Sequence, residues 1–148
     1  MKKRIVPVVL GIMEKNDTYL LTQRAELDPE DKLFLKEQLW QLPGGGIEFG
    51  ETPEQAIIRE MQEELSVEIK SLQLINKVFI EMRGDWQGLF LSYICTPAQE
   101  NFTITLNHES SDYRWFTLAE IRKLSLFPKN KEIIQAAVEF KAAYYNHS

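Results

Sequence analysis

The stretch from Leu42 to Val67, LPGGGIEFGETPEQAIIREMQEELSV, constrains the fold of this chain more than any other. A proline and three glycines lead into a segment in which Thr52 and Gln55 match a capping box and Pro53 takes the first helical position. The apolar residues that then recur at spacings of three and four are Ala56, Ile57, Met61 and Leu65. Such a stripe indicates a helix with one buried side. We therefore expect a glycine-rich turn followed by an amphipathic helix that ends near Ser66.

Three glutamates of the predicted helix, Glu60, Glu63 and Glu64, share one of its sides because they lie at positions i, i+3 and i+4. Like charges at this spacing repel one another and destabilise the helix. Mg²⁺ or Mn²⁺ would relieve that repulsion, since both ions prefer oxygen ligands. The preceding glycines allow the backbone to approach a metal or a phosphate closely. The acidic pattern alone is more often a solvated helix surface than a metal site, and the preceding glycine turn is what favours the metal site here.

Length, charge and cysteine content limit the class of protein. A chain of 148 residues favours a single domain over 1–148. The net charge of -5 argues against a nucleic-acid polymer as the main partner, whereas a small phosphorylated ligand is compatible with it because bound metal ions reverse the local sign. The single cysteine, Cys95, lies in an apolar run, which predicts a buried thiol and fits a reducing, cytoplasmic compartment. No apolar run is long enough to span a membrane.

Strand patterns occupy the chain before the glycines. Residues 5–13 and 19–23 are rich in β-branched and aliphatic side chains, and the Asn16-Asp17 turn signal between them predicts that they pair as a hairpin. Residues 24–38 are polar, contain Pro29 and are expected to form a loop. A short strand is predicted at 40–42.

The chain after the helix alternates strands and turns before it becomes helical again. Residues 67–82 and 86–96 flank the turn Arg83-Gly84-Asp85, which predicts a second hairpin. Residues 97–111 are expected to form a loop, with a short strand at 102–106, and a further short strand follows at 113–116. Thr117 and Glu120 predict a second capping box, and Asn130 is expected to cap a final helix. Strands, a helix, strands and then helices favour an α+β fold over a βαβ repeat.

The organising stretch resembles the Nudix box, G-x5-E-x7-R-E-U-x-E-E-x-G-U, where U is aliphatic. Its fixed positions match Gly45, Glu51, Arg59, Glu60, Met61, Glu63, Glu64 and Val67. One position departs, because Ser66 stands where the family has a glycine that ends the helix, and serine adopts the left-handed conformation less easily. Trp40, Leu42-Pro43 and the run 113–116 extend the likeness beyond the box.

The resemblance implies a Nudix fold, with a mixed β-sheet between α-helices, and the hydrolysis of a nucleoside diphosphate linked to another group, with Mg²⁺ or Mn²⁺. It implies that Glu60, Glu63 and Glu64 bind metal together with the backbone carbonyl of Gly44. It also implies that Glu51 and Arg59 form an ion pair that supports the loop on the helix.

The general base is not fixed by the resemblance. Glu63 or Glu64 could take part of this role, or the base could lie in a later loop, where we expect Glu109 rather than Glu100 because Glu109 precedes the predicted strand at 113–116. Arg24 is a candidate for binding the substrate phosphates. Trp86 is a candidate for stacking a nucleobase, although core packing is the commoner role of such residues.

Three functions are compatible with the sequence. The leading one is a pyrophosphohydrolase of the MutT-like type that converts a nucleoside triphosphate, including a modified or oxidised one, to the monophosphate and pyrophosphate. The second is hydrolysis of a nucleoside diphosphate sugar or a dinucleoside polyphosphate. The third is an inactive nucleotide sensor, against which the retained box acids argue. In each case the expected partner is a small molecule that contains a nucleoside diphosphate. No membrane partner is expected, and a homodimer is an open possibility.

Overall fold

The structure is a computed structural model that describes residues 2–146. Its larger sheet has five strands: β1 (Arg4–Ile12), β5 (Gly44–Gly46), β6 (Ile69–Leu74), β7 (Phe79–Arg83) and β8 (Trp86–Pro97). β1 pairs with β5 in the antiparallel sense on one edge and with β8 in the parallel sense on the other. β8 pairs with β6 and β7 in the antiparallel sense.

The second sheet is built around β3 (Thr18–Arg24). Its other strands are β2 (Glu14–Lys15), β4 (Trp40–Gln41) and β9 (Ser110–Phe116), each antiparallel to β3. Within residues 2–146, three α-helices complete the fold, namely α1 (Pro53–Leu65), α2 (Leu118–Lys123) and α3 (Asn130–Asn146), and a 3-10 helix covers Asp31–Leu33. Among residues 2–146, no helix combines the length and apolar character needed to cross a membrane.

Two buried clusters place the sheets between the helices. In one cluster, α1 packs through Ile57 and Met61 against Val9 of β1 and Tyr93 of β8. In the other, α2 and α3 cover the remaining surface of the sheets, with Ile133 among the fully buried side chains. The predicted α+β fold, a mixed sheet between helices, is therefore confirmed. Cys95 is buried beside α1, as predicted.

The predicted pairing of the first two long strands is wrong. Asn16 and Asp17 do form the turn, with φ of 51° and 61°, but the hairpin partner of β3 is the two-residue β2. β1 belongs to the other sheet because β5 and β8 occupy both of its hydrogen-bonding edges. The apolar residues of β1 are compatible with several neighbouring strands, so the sequence of β1 does not specify its partners.

Two further details differ from expectation. The three glycines form strand β5 rather than a turn, and the turn follows at residues 47–51. Residues 102–106 form no strand; they run along the end of α1, where the Thr105 amide donates to the Leu65 carbonyl at 2.9 Å. The hairpin of β7 and β8 across Arg83-Gly84-Asp85 is confirmed.

The helix signals are largely confirmed. The Thr52–Gln55 and Thr117–Glu120 capping boxes are both formed. Asn130, which was expected to cap the last helix, is instead its first residue. Its buried Oδ1 accepts a hydrogen bond from the Leu42 amide at 2.7 Å, so α3 is fastened directly to the segment that precedes the glycines.

Ser66 has the left-handed conformation that the sequence predicts, with φ 59° and ψ 35°. Its hydroxyl donates a hydrogen bond to the Thr105 carbonyl at 3.2 Å. Ser66→Gly should be neutral or mildly stabilising, because relief of the left-handed strain offsets the loss of this exposed bond. Ser66→Ala should lower the melting temperature, since it loses the bond and keeps the strain. Thermal unfolding of both variants provides the test, and a glycine variant less stable than the alanine variant would contradict it.

Candidate active site

Strand β5 fits between β1 and α1 only because it is made of glycine. A Cβ on Gly44, whose φ is +149°, would lie 2.0 Å from the Val9 carbonyl oxygen. A Cβ on Gly45 would lie 2.6 Å from Oε1 of Glu60. The same addition on Gly46 would find its nearest neighbour at 4.0 Å. The first two glycines therefore bring the backbone against the acidic side of the helix.

Arg59 ties this strand, the following turn and the helix together. Its Nε and Nη2 donate to the two carboxylate oxygens of Glu51 at 2.7 and 2.9 Å, and Nη2 also donates to the Gly46 carbonyl at 3.1 Å. The hydrogen bond from Arg59 is the largest of the effects that lower the pKa of Glu51 to about 2. The structure thus places Glu51 and Arg59 in the ion pair that the resemblance implied.

Glu60 and Glu64 are buried carboxylates, with 9% and 3% of their surface exposed. Oε2 of Glu64 accepts a hydrogen bond from the Gly44 amide at 2.8 Å. Burial, followed by the negative charge of Glu60, raises the pKa of Glu64 to about 9. Burial also raises the pKa of Glu60, against the opposing effect of Arg59. The site therefore holds two acidic groups whose ionisation requires a compensating positive charge.

Glu63 differs from the other two helix acids. Its side chain is 54% exposed, and it accepts a hydrogen bond from Nη1 of Arg59 at 3.2 Å. The same Nη1 donates to Glu60 at 2.9 Å, so one cation engages both carboxylates. Among residues 2–146, no three acidic, histidine or cysteine side chains converge into a complete set of metal ligands.

The buried acids nevertheless fit a hard divalent cation. The carboxylate oxygens of Glu60 and Glu64 lie beside the glycine strand, and their mutual repulsion is the kind that such a cation relieves. The donor atoms are all oxygen, which suits Mg²⁺ or Mn²⁺.

Glu109 and Arg24 approach this cluster from outside the helix. The Glu109 carbonyl accepts a hydrogen bond from the Ala25 amide at 2.9 Å, which joins the 101–109 segment to the end of β3. The charge of Glu109 contributes to the raised pKa of both Glu60 and Glu64, while the charge of Arg24 acts in the opposite direction on Glu64. These electrostatic effects favour Glu109 over Glu100 as the loop acid at the site.

A cleft of about 1010 Å³ begins at the glycine strand. Gly44, Gly45 and Arg24 line one end, and Glu81, Arg83 and Trp86 line the other. The Arg83 guanidinium lies 4.7 Å from the centroid of the Trp86 ring, so it occupies one face of the indole. The ring also covers Gly88, where a Cβ would lie 2.5 Å from the ring edge. Trp86 thus lines the cleft, and one face of its indole already carries a cation.

Glu81 and Arg83 are two charged residues of the cleft that the sequence did not identify as candidates. They alternate with exposed Ile80 and Met82 along β7, which places the charged side chains inward and the apolar ones outward. The available signal was this inverted alternation within a predicted strand.

Comparison with known proteins agrees with this geometry. The model of the NUDIX domain matches residues 2–137. The chain belongs to the Nudix family. An RNA pyrophosphohydrolase from Rickettsia bellii is 32% identical over 136 residues, covering 76% of this chain and 83% of that protein.

Two other similar proteins are MutT-like. The Escherichia coli 8-oxo-dGTP diphosphatase is 36% identical over 81 residues, covering 55% of this chain and 57% of its own length. The crystal structure of a MutT Nudix hydrolase from Burkholderia pseudomallei superposes with a TM-score of 0.76 at 16% identity, covering 90% of this chain and 98% of that one. The protein is thus a Nudix hydrolase, and hydrolases of this family generally require divalent metal ions.

The raised pKa of Glu64 predicts how the stability of the metal-free protein depends on pH. Between the ordinary value of 4.5 and the folded value of about 9, the folded state holds a proton that the unfolded state releases. The contribution of Glu64 to the free energy of unfolding therefore falls as pH rises through this range. In the presence of a chelator, Glu64→Gln should raise the melting temperature at pH 8.5, with a difference that shrinks towards pH 5.

Glu63→Gln is the matched control for this measurement, since Glu63 lies one residue away and is largely exposed. It should leave the pH dependence close to that of the wild type. A Glu64→Gln protein that melts below the wild type at pH 8.5 would contradict the electrostatic account of this site.

Proposed function

We propose that this Nudix hydrolase is a Mg²⁺- or Mn²⁺-dependent pyrophosphohydrolase that converts a nucleoside triphosphate, including modified or oxidised forms, to a nucleoside monophosphate and pyrophosphate. The observation that carries the proposal is the pair of buried carboxylates, Glu60 and Glu64. They lie against Gly44 and Gly45, which line one end of a cleft of about 1010 Å³. The name of the Escherichia coli relative, 8-oxo-dGTP diphosphatase, supports a free nucleotide as substrate.

Glu60 and Glu64 would hold the metal, with Glu63 and the Gly44 carbonyl as further ligands. A bound divalent ion neutralises phosphate oxygens and lowers the pKa of a coordinated water. Arg59 bonds Glu60 and Glu63 while it is fixed by Glu51, so its position controls how these two carboxylates are presented.

The remaining roles follow from position. Arg24, at the glycine end of the cleft, binds the substrate phosphates. Glu109 accepts the proton as a water oxygen bonds to one phosphorus of the bridge between the α- and β-phosphates; Glu63 or Glu64 is the alternative proton acceptor. The bond from that phosphorus to the bridging oxygen breaks, and its electrons leave with the other fragment, so that the products are the monophosphate and pyrophosphate. The three glycines, which place backbone against the acids, keep bulky side chains away from this end of the cleft.

The Rickettsia bellii relative favours a second candidate substrate, because it is named an RNA pyrophosphohydrolase. The 5′-triphosphate end of an RNA presents the same phosphate chemistry as a free nucleotide. The net charge of -5 argues for the free nucleotide, since RNA binding depends on clustered positive charge. Nucleoside diphosphate sugars and dinucleoside polyphosphates are the alternative substrates, and a catalytically inactive nucleotide sensor is the alternative function. A cytoplasmic location belongs to the proposal, and a homodimer is compatible with it.

A substrate panel with Mg²⁺ or Mn²⁺ tests the proposal. The wild type should release pyrophosphate from a nucleoside triphosphate faster than it releases any product from RNA 5′ ends, sugar nucleotides or dinucleoside polyphosphates. Glu64→Gln should lower kcat by more than about 100-fold, because even the outer partners of a metal ligand contribute 10- to 100-fold. Glu68→Gln, a change at an exposed position just beyond α1, is the control and should retain activity.

Wild-type turnover by Glu64→Gln would show that Glu64 is not a metal ligand. If the wild type binds nucleotides tightly but hydrolyses no member of the panel, the protein is an inactive nucleotide sensor rather than an enzyme.

A further inference from the structure

The end of the cleft remote from the acids contains a buried ion cluster that the proposed reaction does not use. Arg83 donates to both carboxylate oxygens of Glu81, from Nε and Nη2, at 2.7 Å each. Its Nη1 donates to Asp31 of the 24–38 segment at 3.1 Å. The side chains of Arg83 and Glu81 are only 11% and 6% exposed. Burying such a pair carries a large desolvation cost, so its position in the cleft calls for a reason.

The strand register fixes how far this cluster lies from the acids. Gly44 is opposite Leu10 of β1. Glu81, which holds the Arg83 guanidinium, is opposite Gly88 of β8, and Gly88 is opposite Val6 of β1. Four residues of strand separate the rows of Leu10 and Val6, which is about 13 Å at ~3.3 Å per residue. A substrate whose reacting phosphate lies beside Gly44 therefore directs its nucleoside, rather than its phosphates, towards Arg83.

Arg83 retains donors for such a nucleoside. A guanidinium has five N–H groups. Glu81 and Asp31 take three of them, which leaves one on Nη1 and one on Nη2 without a hydrogen bond in the described part of the chain. Trp86, at 4.7 Å, and Phe127, at 5.8 Å, hold the guanidinium plane in place. The result is a fixed planar cation in a cleft, with free N–H donors and little access to water.

We propose that Arg83 is a specificity-determining residue that recognises a guanine base through its O6 and N7 acceptors. This pair of acceptors is the one to which an arginine donates best among the bases, whereas adenine presents a donor at the position of O6. Glu81 and Asp31 orient the guanidinium and keep it charged. In 8-oxoguanine, N7 carries a hydrogen, so Arg83 favours the unoxidised base. The inference rests on the proposed function, since it requires a nucleotide in the cleft.

Three deoxynucleotides test the base contact without any change to the protein: dGTP, 7-deaza-dGTP, in which a carbon replaces N7, and 8-oxo-dGTP. The wild-type kcat/KM should be about tenfold higher for dGTP than for either analogue, as expected for one good base contact. Equal values for dGTP and 7-deaza-dGTP, or a preference for 8-oxo-dGTP, would overturn the inference.

Arg83→Lys then assigns the discrimination to this side chain. Lysine keeps the charge beside Glu81 but lacks the planar fork, so the ratio for dGTP over 7-deaza-dGTP should fall to about one. Arg114→Lys is the matched control, because Arg114 also pairs with a carboxylate, Asp112, and approaches an indole, Trp40, but lies outside the lining of the cleft. It should keep the wild-type ratio.

If Arg83 only holds Glu81 and Asp31 in place, a different result is expected, since its substitution would then lower kcat/KM equally for all three nucleotides. That outcome would overturn the inference and leave the proposed function intact. If the wild type hydrolyses no nucleotide, the proposed function fails instead, and calorimetric binding of dGMP against 7-deaza-dGMP tests the base contact alone. Equal affinities in that measurement would reject it.

Discussion

The contacts of Arg59 connect the three segments that form the acidic end of the site. One guanidinium bonds Glu51 in the turn, the Gly46 carbonyl at the end of β5, and Glu60 and Glu63 on α1. The strand that it holds has no room for side chains at Gly44 or Gly45, because β1 lies on one side and the Glu60 carboxylate on the other. The backbone of β5 can approach the helix acids because two conditions are met. The Arg59 cation joins the three segments, and the strand lacks Cβ atoms at Gly44 and Gly45.

The burial of two acidic side chains at this site lowers the stability of the metal-free protein. Glu60 and Glu64 are buried against each other, and the metal-free protein compensates their charge only in part, through Arg59 and the Gly44 amide. If these carboxylates hold a divalent cation, as proposed, the cation supplies the missing charge and gains affinity from the repulsion that it relieves. The Arg83 cluster at the far end of the cleft is different, since Glu81, Asp31 and Trp86 already balance the charge of its cation and fix its orientation. The two ends are suited to different parts of one substrate.

The sequence predicted the local features and missed those that depend on neighbours. The capping boxes, the left-handed Ser66 and the β7–β8 hairpin follow from signals within a few residues. The partners of β1 do not, because an apolar strand is compatible with several neighbours. The prediction that Glu60, Glu63 and Glu64 share one side of the helix holds for an isolated helix. In the folded protein, packing buries Glu64 and leaves Glu63 largely exposed. The role of β7 was hidden because its charged residues point inward, and only the tertiary fold shows that they face a cleft.

If Glu60 binds the metal, as proposed, its close approach to the glycine strand controls metal affinity, and the affinity of the Gly45→Ala protein for Mn²⁺ measures this dependence. An added methyl group at position 45 must displace the Glu60 carboxylate, whereas the same change at position 46 meets nothing closer than 4.0 Å. Calorimetric titration should show at least about tenfold weaker Mn²⁺ binding for Gly45→Ala, consistent with displacement of a metal ligand. Gly46→Ala should bind close to wild-type affinity. Wild-type Mn²⁺ affinity in a folded Gly45→Ala protein would show that metal binding does not depend on the approach of Glu60 to Gly45, which is the contrary result.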